Sequence, residues 1–265
     1  MTPHKFSLML RLVAFLVAAI FWGCQKKGAN QLTVGMELSY PPFEMTDEQG
    51  QPKGVSVDLA HALGEALNRN VVIQNIPFDG LIPALKTGKI DLIISSMTST
   101  PERAKSIAFS DPYLKTGLCL LVGKNSDIQA IADVDRPDKA VVTKLGTTGH
   151  AYAQSNIHQA KTRVLEKESE AVLEVAQGKA DAFIYDQMST FKNWQRNADT
   201  TRPILQPFQE ESWAIGVRQG NDELRKEVNT FLKDYRAHGG FEALGERHLK
   251  EQKDAFKKMG ISFFF

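Results

Sequence analysis

From residue 32 onward, short apolar runs alternate with longer stretches whose apolar residues repeat at helical spacing. Residues 71–76 form one such run, and the stretch before it, residues 55–67, places Leu59, Leu63 and Leu67 on one face of a helix. Strands that alternate with amphipathic helices build largely parallel sheets covered by helices. The alternation therefore predicts an α/β fold.

The predicted elements fall into two sets, each of which can form one lobe. The predicted strands are residues 32–36, 71–76, 90–95, 118–123, 139–145, 163–165, 180–186 and 212–217. The predicted helices are residues 55–67, a helix from Phe78-Asp79 to Gly88, and residues 148–154, 169–177 and 222–235. Because the last helix is expected to return to the first set, we expect one lobe from residues 32–119 with 215–265, and a second lobe from residues 120–214.

The N-terminus has the features of an export signal. Lys5 and Arg11 precede or interrupt an apolar run, residues 12–22, which ends at Cys24 after a small residue. The run is shorter than the ~20 residues that a membrane-spanning helix needs. We therefore expect residues 1–24 to be a signal peptide and the protein to be exported to the periplasm or the outer face of a bacterial membrane.

Cys24 lies where a bacterial lipoprotein carries its acylated cysteine. The segment that ends there resembles a lipobox, although Phe21 and Trp22 replace a leucine and a small residue. The resemblance implies a lipid anchor on Cys24, followed by a polar linker at residues 25–31. The alternative is a signal peptide that is cut elsewhere and an incidental cysteine. If Cys24 is acylated, Cys119, which lies in an apolar strand, has no cysteine partner, so no disulfide is expected.

The composition and the motifs argue against several functions. The net charge is +1, with 32 basic and 31 acidic residues interspersed, which leaves no basic face for a nucleic acid. The sequence contains no zinc-binding helix motif, nucleophile elbow, P-loop or dinucleotide fingerprint, and its six histidines include no metal-like pair. We therefore expect no nucleic-acid partner, no metal, no cofactor and no enzyme of these classes.

Polar residues follow the predicted strand 90–95. Ser95, Ser96, Met97 and Thr98 are succeeded by Arg103. Open α/β sheets bind ligands at the carboxyl ends of their strands, and the planar guanidinium of arginine pairs bidentately with a carboxylate. Taken alone, Arg103 would be better interpreted as a solvated charge on a helix.

The second half of the chain contains a comparable set of polar residues at the ends of predicted strands. Thr147 and Thr148 follow Lys144 at a strand-to-helix turn, where free backbone N–H groups can receive an anion. Asp186 ends another predicted strand and could accept an ammonium group. Ordinary helix capping is the alternative for the two threonines and for the aspartate.

Aromatic residues flank the same predicted edge. Tyr40 and Phe78 could sandwich an aliphatic or cationic side chain, because aromatic faces attract cations, and Glu37 follows the first strand. Either aromatic residue alone could belong to the core.

Four spaced motifs carry a family resemblance over residues 32–249. They are Val34-Gly35-x-x-x-x-Tyr40-x-Pro42-Phe43, Gly54-x-x-x-Asp58-Leu59, Phe78-Asp79-x-Leu81-Ile82-Pro83-x-Leu85, and Asp91-x-x-Ile94-Ser95-x-Met97-x-x-Thr100-x-x-Arg103-x-x-x-Ile107-x-Phe109-Ser110. In this order they resemble the periplasmic polar amino-acid-binding proteins of ABC transporters, the type that binds lysine, arginine, ornithine, histidine or glutamine. The resemblance implies two lobes of type II architecture, each a mixed, mostly parallel sheet flanked by helices, joined by two hinge strands near residues 118–123 and 212–217.

The resemblance also implies roles for the candidate residues. The ligand's carboxylate would meet Arg103, Thr98 and the turn of Thr147 and Thr148. Its ammonium group would meet Asp186, and also Ser96 and a nearby carbonyl.

The expected specificity for the ligand's side chain depends on two charged residues, Glu37 and Lys144. Glu37 matches an acidic position that meets the distal group of cationic ligands, which favours lysine or arginine. Lys144 matches a lysine of glutamine-binding members, and glutamine becomes the better expectation if Lys144 neutralises Glu37. Gly149 stands where some members have glutamine.

The resemblance implies a monomer that binds a free amino acid and delivers it to an ABC permease. One alternative is a cyclohexadienyl-dehydratase-like enzyme on the same fold, although Asp186 argues against it because such an enzyme needs no partner for an ammonium group. A sensor portion of a signalling or channel protein is the other alternative.

Overall fold

The computed structural model describes residues 30–261; the predicted signal peptide, Cys24 and most of the predicted linker lie outside them. In chain order the strands are β1 (Gln31–Met36), β2 (Ser39–Tyr40), β3 (Glu44–Thr46), β4 (Pro52–Lys53), β5 (Asn70–Asn75), β6 (Leu92–Ile93), β7 (Ala108–Phe109), β8 (Leu114–Gly123), β9 (Ala140–Lys144), β10 (Lys161–Leu165), β11 (Ala182–Asp186), β12 (Thr201–Trp213) and β13 (Gly216–Val217). The helices are α1 (Val55–Ala66), α2 (Leu81–Lys86), α3 (Pro101–Ala104), α4 (Thr148–Asn156), α5 (Glu168–Ala176), α6 (Gln187–Arg196), α7 (Asp222–Ala237), α8 (Gly240–His248) and α9 (Lys250–Lys258).

The first lobe is built on a five-stranded sheet in the order β5-β1-β6-β13-β7. Strand β1 runs parallel to β6, whereas β13 runs antiparallel to both β6 and β7. Leu32, Val34 and Met36 of β1 are fully buried. Gly35 allows close packing in this strand, since an added Cβ would lie 2.4 Å from a side-chain carbon of Ile90.

The second lobe is built on a sheet in the order β10-β9-β11-β8-β12. Its parallel part, β10-β9-β11, continues into an antiparallel part in which β8 lies between β11 and β12. Both sheets are therefore mixed, with helices between their strands. This arrangement confirms the predicted α/β fold class.

A small sheet, β2-β3-β4, lies between β1 and α1 in the chain. Gly54, with φ of 125°, makes the transition from β4 to α1, and an added Cβ would lie only 2.3 Å from the carbonyl oxygen of Phe43. The backbone N–H of Ser56 then donates to the same Phe43 oxygen at 2.8 Å. This contact brings the start of α1 beside β3.

The return of the chain from the second sheet to the first differs from the prediction. The strand expected at residues 212–217 is two strands, because β12 ends in the second sheet at Trp213 and β13 begins in the first sheet at Gly216. Most of β12 was not predicted, because Pro203, Pro207 and polar residues interrupt its apolar pattern. A register shift against β8 accommodates Pro207 within the strand.

The core is continuous across the two lobes. One cluster of buried residues includes Leu32 and Leu92 from the first sheet and Val142 and Phe183 from the second. The C-terminal helix α9 adds Phe256. Within residues 30–261 no helix has the length and apolar character needed to cross a membrane.

Candidate functional site

A cavity lies between the lobes, at the carboxyl ends of strands from both sheets. Its walls are formed by Glu37, Tyr40, Glu44, Phe78, Ser95, Ser96, Thr98, Arg103, Leu118, Thr147, Thr148, Gly149, Tyr185, Asp186, Glu211 and Trp213. Most of the residues that the sequence indicated as binding residues therefore lie together, with the exceptions of Met97 and Lys144. This is the edge at which α/β sheets hold ligands.

Arg103 connects the two lobes. Thr100 caps the short helix α3 by accepting from the backbone N–H of Arg103, and Pro101 occupies the first turn. The guanidinium donates from Nη1 to the Thr98 carbonyl at 2.7 Å and from Nη2 to the Gly146 carbonyl at 2.9 Å. Burial lowers the pKa of Arg103 to about 10, so the side chain stays positively charged at neutral pH.

Asp186 ends β11 and is also the N-cap of α6. Its Oδ1 accepts from the backbone N–H groups of Met188 and Ser189, both at 3.0 Å, and from the Tyr40 hydroxyl at 2.6 Å. Burial raises the pKa of Asp186 to about 7, although these hydrogen bonds oppose the shift. The capping role is observed, and the same carboxylate lines the cavity.

The start of α4 forms the facing wall. Thr147 is the N-cap, whose Oγ1 accepts from the His150 N–H and donates to the Lys144 carbonyl at 2.7 Å. Gly149 lets the helix approach β11, since an added Cβ would lie 2.5 Å from the Ile184 carbonyl oxygen.

Lys144 is buried behind the cavity wall and pairs with Glu37. Its Nζ lies 5.6 Å from the centre of the Phe78 ring, and the guanidinium carbon of Arg103 lies 5.4 Å from it. Two cations of the protein therefore already contact Phe78. The positive charge of Lys144 therefore compensates the negative charge of Glu37.

Met97 lies away from the cavity. Its side chain is 1% exposed, packs in the first-lobe core with Leu81 and Ile93, and borders an outer groove beside Arg103. The chain turns at Ser96, whose φ of 48° lies in the left-handed region, so Ser95 and Ser96 both line the cavity and Met97 points into the core.

Tyr40 takes part in an aromatic cluster. Its ring stacks on Phe43 with centroids 5.5 Å apart and meets the edge of Trp213 at 6.0 Å. Tyr185 approaches it at 6.2 Å. Sequence reasoning missed Tyr185 and Trp213, because the apolar pattern of their strands is that of ordinary core.

Glu44 was also missed. It is 1% exposed, and its carboxylate accepts from the hydroxyls of Ser56 at 2.6 Å, Ser96 at 3.0 Å and Ser95 at 3.3 Å. Burial raises the pKa of Glu44 to about 8, against the effect of these hydroxyls. Its position directly after the Pro42-Phe43 motif was the one sequence signal that could have indicated a site residue. Its burial could not be predicted, because it depends on the packing of α1 against this segment.

Glu211 is the third missed carboxylate. Its Oε2 accepts from the hydroxyls of Thr98 and Thr148, each at 3.0 Å, and its Oε1 accepts from Gln209 at 3.0 Å. The residue belongs to the unpredicted strand β12, so no sequence signal placed it here. Among residues 30–261, no cluster of three or more histidine, cysteine or acidic side chains could hold a metal ion.

A two-lobed α/β fold with a charged cavity between its lobes is the architecture of the periplasmic binding proteins. The family model "Bacterial extracellular solute-binding proteins, family 3" matches residues 32–251, and the chain belongs to that family. This confirms the resemblance carried by the four motifs.

Similar proteins include several amino-acid binders. The chain is 27% identical to the L-cystine-binding protein of Escherichia coli strain K12, over 83% of each chain. A crystal structure of an ancestral amino acid-binding protein, a precursor of cyclohexadienyl dehydratase, matches with a TM-score of 0.75 and 37% identity, covering 83% of this chain and 95% of the other. An ancestral arginine-binding protein bound to glutamine matches with a TM-score of 0.78 and 33% identity, covering 84% and 99%.

Proposed function

We propose that the protein binds a free polar amino acid outside the cytoplasm and delivers it to the permease of an ABC transporter. The observation that carries this proposal is the position of Arg103 and Asp186 on one cavity, one from each lobe. A half-buried cation and a buried carboxylate match the two charges that every free amino acid presents. Permease delivery and a lipid anchor on Cys24 are expectations from the family and from the N-terminal sequence.

The other polar groups suit the same zwitterion. In this proposal the carboxylate binds to Arg103 and to the turn of Thr147 and Thr148. The ammonium group binds to Asp186, whose Oδ2 receives no hydrogen bond from the residues that the structure describes, and to Ser96. Closing the lobes around the ligand would exclude water and strengthen these charged contacts.

Among amino acids, we favour those with a cationic side chain, arginine and lysine. Four carboxylates line the cavity, from Glu37, Glu44, Asp186 and Glu211, whereas Arg103 lines it and Lys144 lies behind Glu37. Because Lys144 compensates Glu37, Glu44 is the carboxylate that we assign to the ligand's distal cation. Its three hydroxyl partners can orient it, but they carry no positive charge.

Glutamine is the second candidate. The pairing of Lys144 with Glu37 supports it, since a lysine next to the cavity could donate to a side-chain amide oxygen. One similar ancestral arginine-binding protein was solved with glutamine bound, so a fold of this kind accepts both side chains.

Calorimetric titration of residues 25–265 with each common amino acid tests the proposal, after partial unfolding to remove carried-over ligand. Binding of arginine or lysine supports the cationic assignment, and binding of glutamine alone supports the second candidate. If no amino acid binds, the proposal fails. Incubation with prephenate and arogenate would then test for dehydratase activity.

Replacing Arg103 provides a sharper test. Arg103→Ala should weaken binding by at least about tenfold, because it leaves the ligand carboxylate buried without its cation. Arg225→Ala is the matched control: Arg225 makes an exposed ion pair with Asp222 on α7, and its loss should leave affinity unchanged. Equal affinity of the Arg103 variant and the control would remove Arg103 from the site.

A further inference from the structure

Glu168 is the first residue of α5, and it follows the strand that pairs with the end of β9. Strands β9 and β10 run parallel with Lys144 opposite Leu165, and the Leu145 N–H donates to the Leu165 carbonyl at 2.8 Å. Helix α5 begins three residues after Leu165. The two strand ends therefore bring Lys144 and Glu168 to the same edge of the second sheet.

The two carboxylate oxygens of Glu168 have different surroundings. Its Oε1 accepts from the Ser189 hydroxyl at 2.6 Å and from the Asn193 side-chain amide at 2.7 Å, both on α6. Its Oε2 is shielded from solvent and accepts no hydrogen bond within residues 30–261. A buried carboxylate oxygen without a donor is costly unless a nearby cation compensates its charge.

Lys144 is a cation close to Glu168. Burial raises the pKa of Glu168, and the hydrogen bonds to Oε1 oppose this shift. The positive charge of Lys144 opposes it further, whereas the negative charge of Glu37 adds to it. Both members of the Lys144–Glu37 ion pair therefore lie near Glu168, and one buried lysine faces two carboxylates.

We propose that Glu168 is a positioning residue for ligand specificity: it acts through Lys144 to keep this end of the cavity negative, so that a cationic side chain is selected. Lys144 carries a single positive charge, and Glu37 already compensates it, so the charge of Glu168 is in surplus. Burial, and in addition the charge of Glu37, raises the pKa of Glu44, so the surplus lies close to the carboxylate that we assign to the ligand's distal cation. The selection of a cation rests on the proposed function, whereas the coupling of Glu168 to Lys144 does not.

Lys192 on α6 is a second cation near Glu168. Burial, with the charge of Arg196, lowers the pKa of Lys192 to about 8, and Glu168 opposes this shift. Lys192 is partly exposed and is not among the residues that line the cavity, whereas Lys144 is buried behind the cavity wall. Lys192 therefore provides a matched control for a role that depends on Lys144.

Urea unfolding without any amino acid tests the coupling by a double-mutant cycle of Glu168→Gln and Lys144→Met. Glutamine keeps an oxygen that can accept the two hydrogen bonds from α6, so the variant chiefly removes the charge. The double variant should lose clearly less stability than the sum of the two single variants, because the interaction can be lost only once. Glu170→Gln, at an exposed position on the same helix, should be additive with Lys144→Met.

Two results of this experiment would overturn the proposal. One is additive losses for Glu168→Gln and Lys144→Met. The other is a stronger coupling of Glu168→Gln to Lys192→Met than to Lys144→Met, since Glu168 would then act on the surface of α6. If Lys144→Met does not fold, the binding experiment decides alone.

Calorimetric titration with arginine and with glutamine tests the specificity. Glu168→Gln should lower the ratio of arginine affinity to glutamine affinity by about fivefold or more, the order expected for one unit charge removed several ångströms from the ligand's cation. Glu168→Asp retains the charge and should keep more of the ratio. Lys192→Met and Glu170→Gln should leave it unchanged.

A ratio that stays at the wild-type value in folded Glu168→Gln would overturn the proposal. Equal weakening of both amino acids would do the same, because it would show a structural role that does not discriminate between side chains. If the wild-type protein binds no amino acid, the proposed function fails and the selection of a cation fails with it. The unfolding experiment still decides whether Glu168 is coupled to Lys144.

Discussion

Individual carboxylates decide the charge of the cavity, and their environments differ. Lys144 compensates the charge of Glu37, two backbone N–H groups and a tyrosine hydroxyl donate to Asp186, and within residues 30–261 Glu44 accepts from serine hydroxyls alone. Sequence motifs indicated Glu37 and Asp186, since both end or follow predicted strands. Nothing in the sequence indicated that Glu44 is buried, because its burial comes from a helix that begins more than ten residues later.

The assignment of Glu44 to a distal cation predicts proton release. With a pKa of about 8, Glu44 is mostly protonated at pH 7, and a cation bound beside it would favour the charged form. Arginine binding at pH 7 should therefore release more protons than glutamine binding, measured as the dependence of the binding enthalpy on the buffer's ionisation enthalpy. At a pH well above 8, where Glu44 is already ionised, the difference should vanish.

The variant Glu44→Gln tests whether Glu44 is the source of this proton release. This variant should abolish the extra proton release. It should weaken arginine binding by about tenfold or more, because a one-unit pKa change corresponds to a factor of ten in affinity, and it should have little effect on glutamine binding. Glu48→Gln, at an exposed position in the same region, is the control. Equal proton release by wild type and Glu44→Gln would exclude Glu44 as the partner of the cation.

The N-termini of helices position several side chains of the site. The helices α4 and α6 start at the cavity with the N-caps Thr147 and Asp186, and the short α3, capped by Thr100, carries Arg103 to it. For Thr147 and Asp186 the sequence left capping and ligand binding as alternatives. The structure shows that capping and lining the cavity are compatible, because Thr147 and Asp186 each cap a helix and also line the cavity.

Asp186 allows the two roles to be separated. Asparagine is as good an N-cap as aspartate, so Asp186→Asn should keep the thermal stability of the protein while weakening amino-acid binding by at least about tenfold through loss of the negative charge. Asp186→Ala should lose both stability and binding. Full affinity in the asparagine variant would show that the carboxylate acts as a cap alone.

At the scale of the whole molecule, raised pKa values link stability to pH. Burial raises the pKa of Glu44 to about 8 and that of Asp186 to about 7, so the folded protein holds protons that the unfolded chain releases. The stabilising contribution is complete at pH values below the unfolded pKa values of both groups. It is lost as pH rises through the folded values, so it falls between about pH 3.8 and pH 8.

Thermal denaturation measured across this pH range checks the linkage. Without ligand, the free energy of unfolding should fall with rising pH, and the double variant Glu44→Gln with Asp186→Asn should show a smaller fall. Saturating ligand should raise the unfolding temperature and flatten the dependence, because the bound cations favour the ionised carboxylates. A double variant with the wild-type slope would assign the pH dependence to other groups.

The sequence by itself determined the α/β class, the order of most elements and most of the cavity residues, because period and spacing are local properties of the chain. It identified Arg103, Thr147 and Asp186 since each follows a strand that has a clear apolar pattern. Only the tertiary structure decided that Lys144 pairs with Glu37, that Met97 enters the core, and that Glu44 and Glu211 reach the cavity. The physical reason is that charge pairing and burial depend on distances between residues far apart in sequence, and β12, which carries Glu211, has prolines that conceal a strand defined by its pairing with β8.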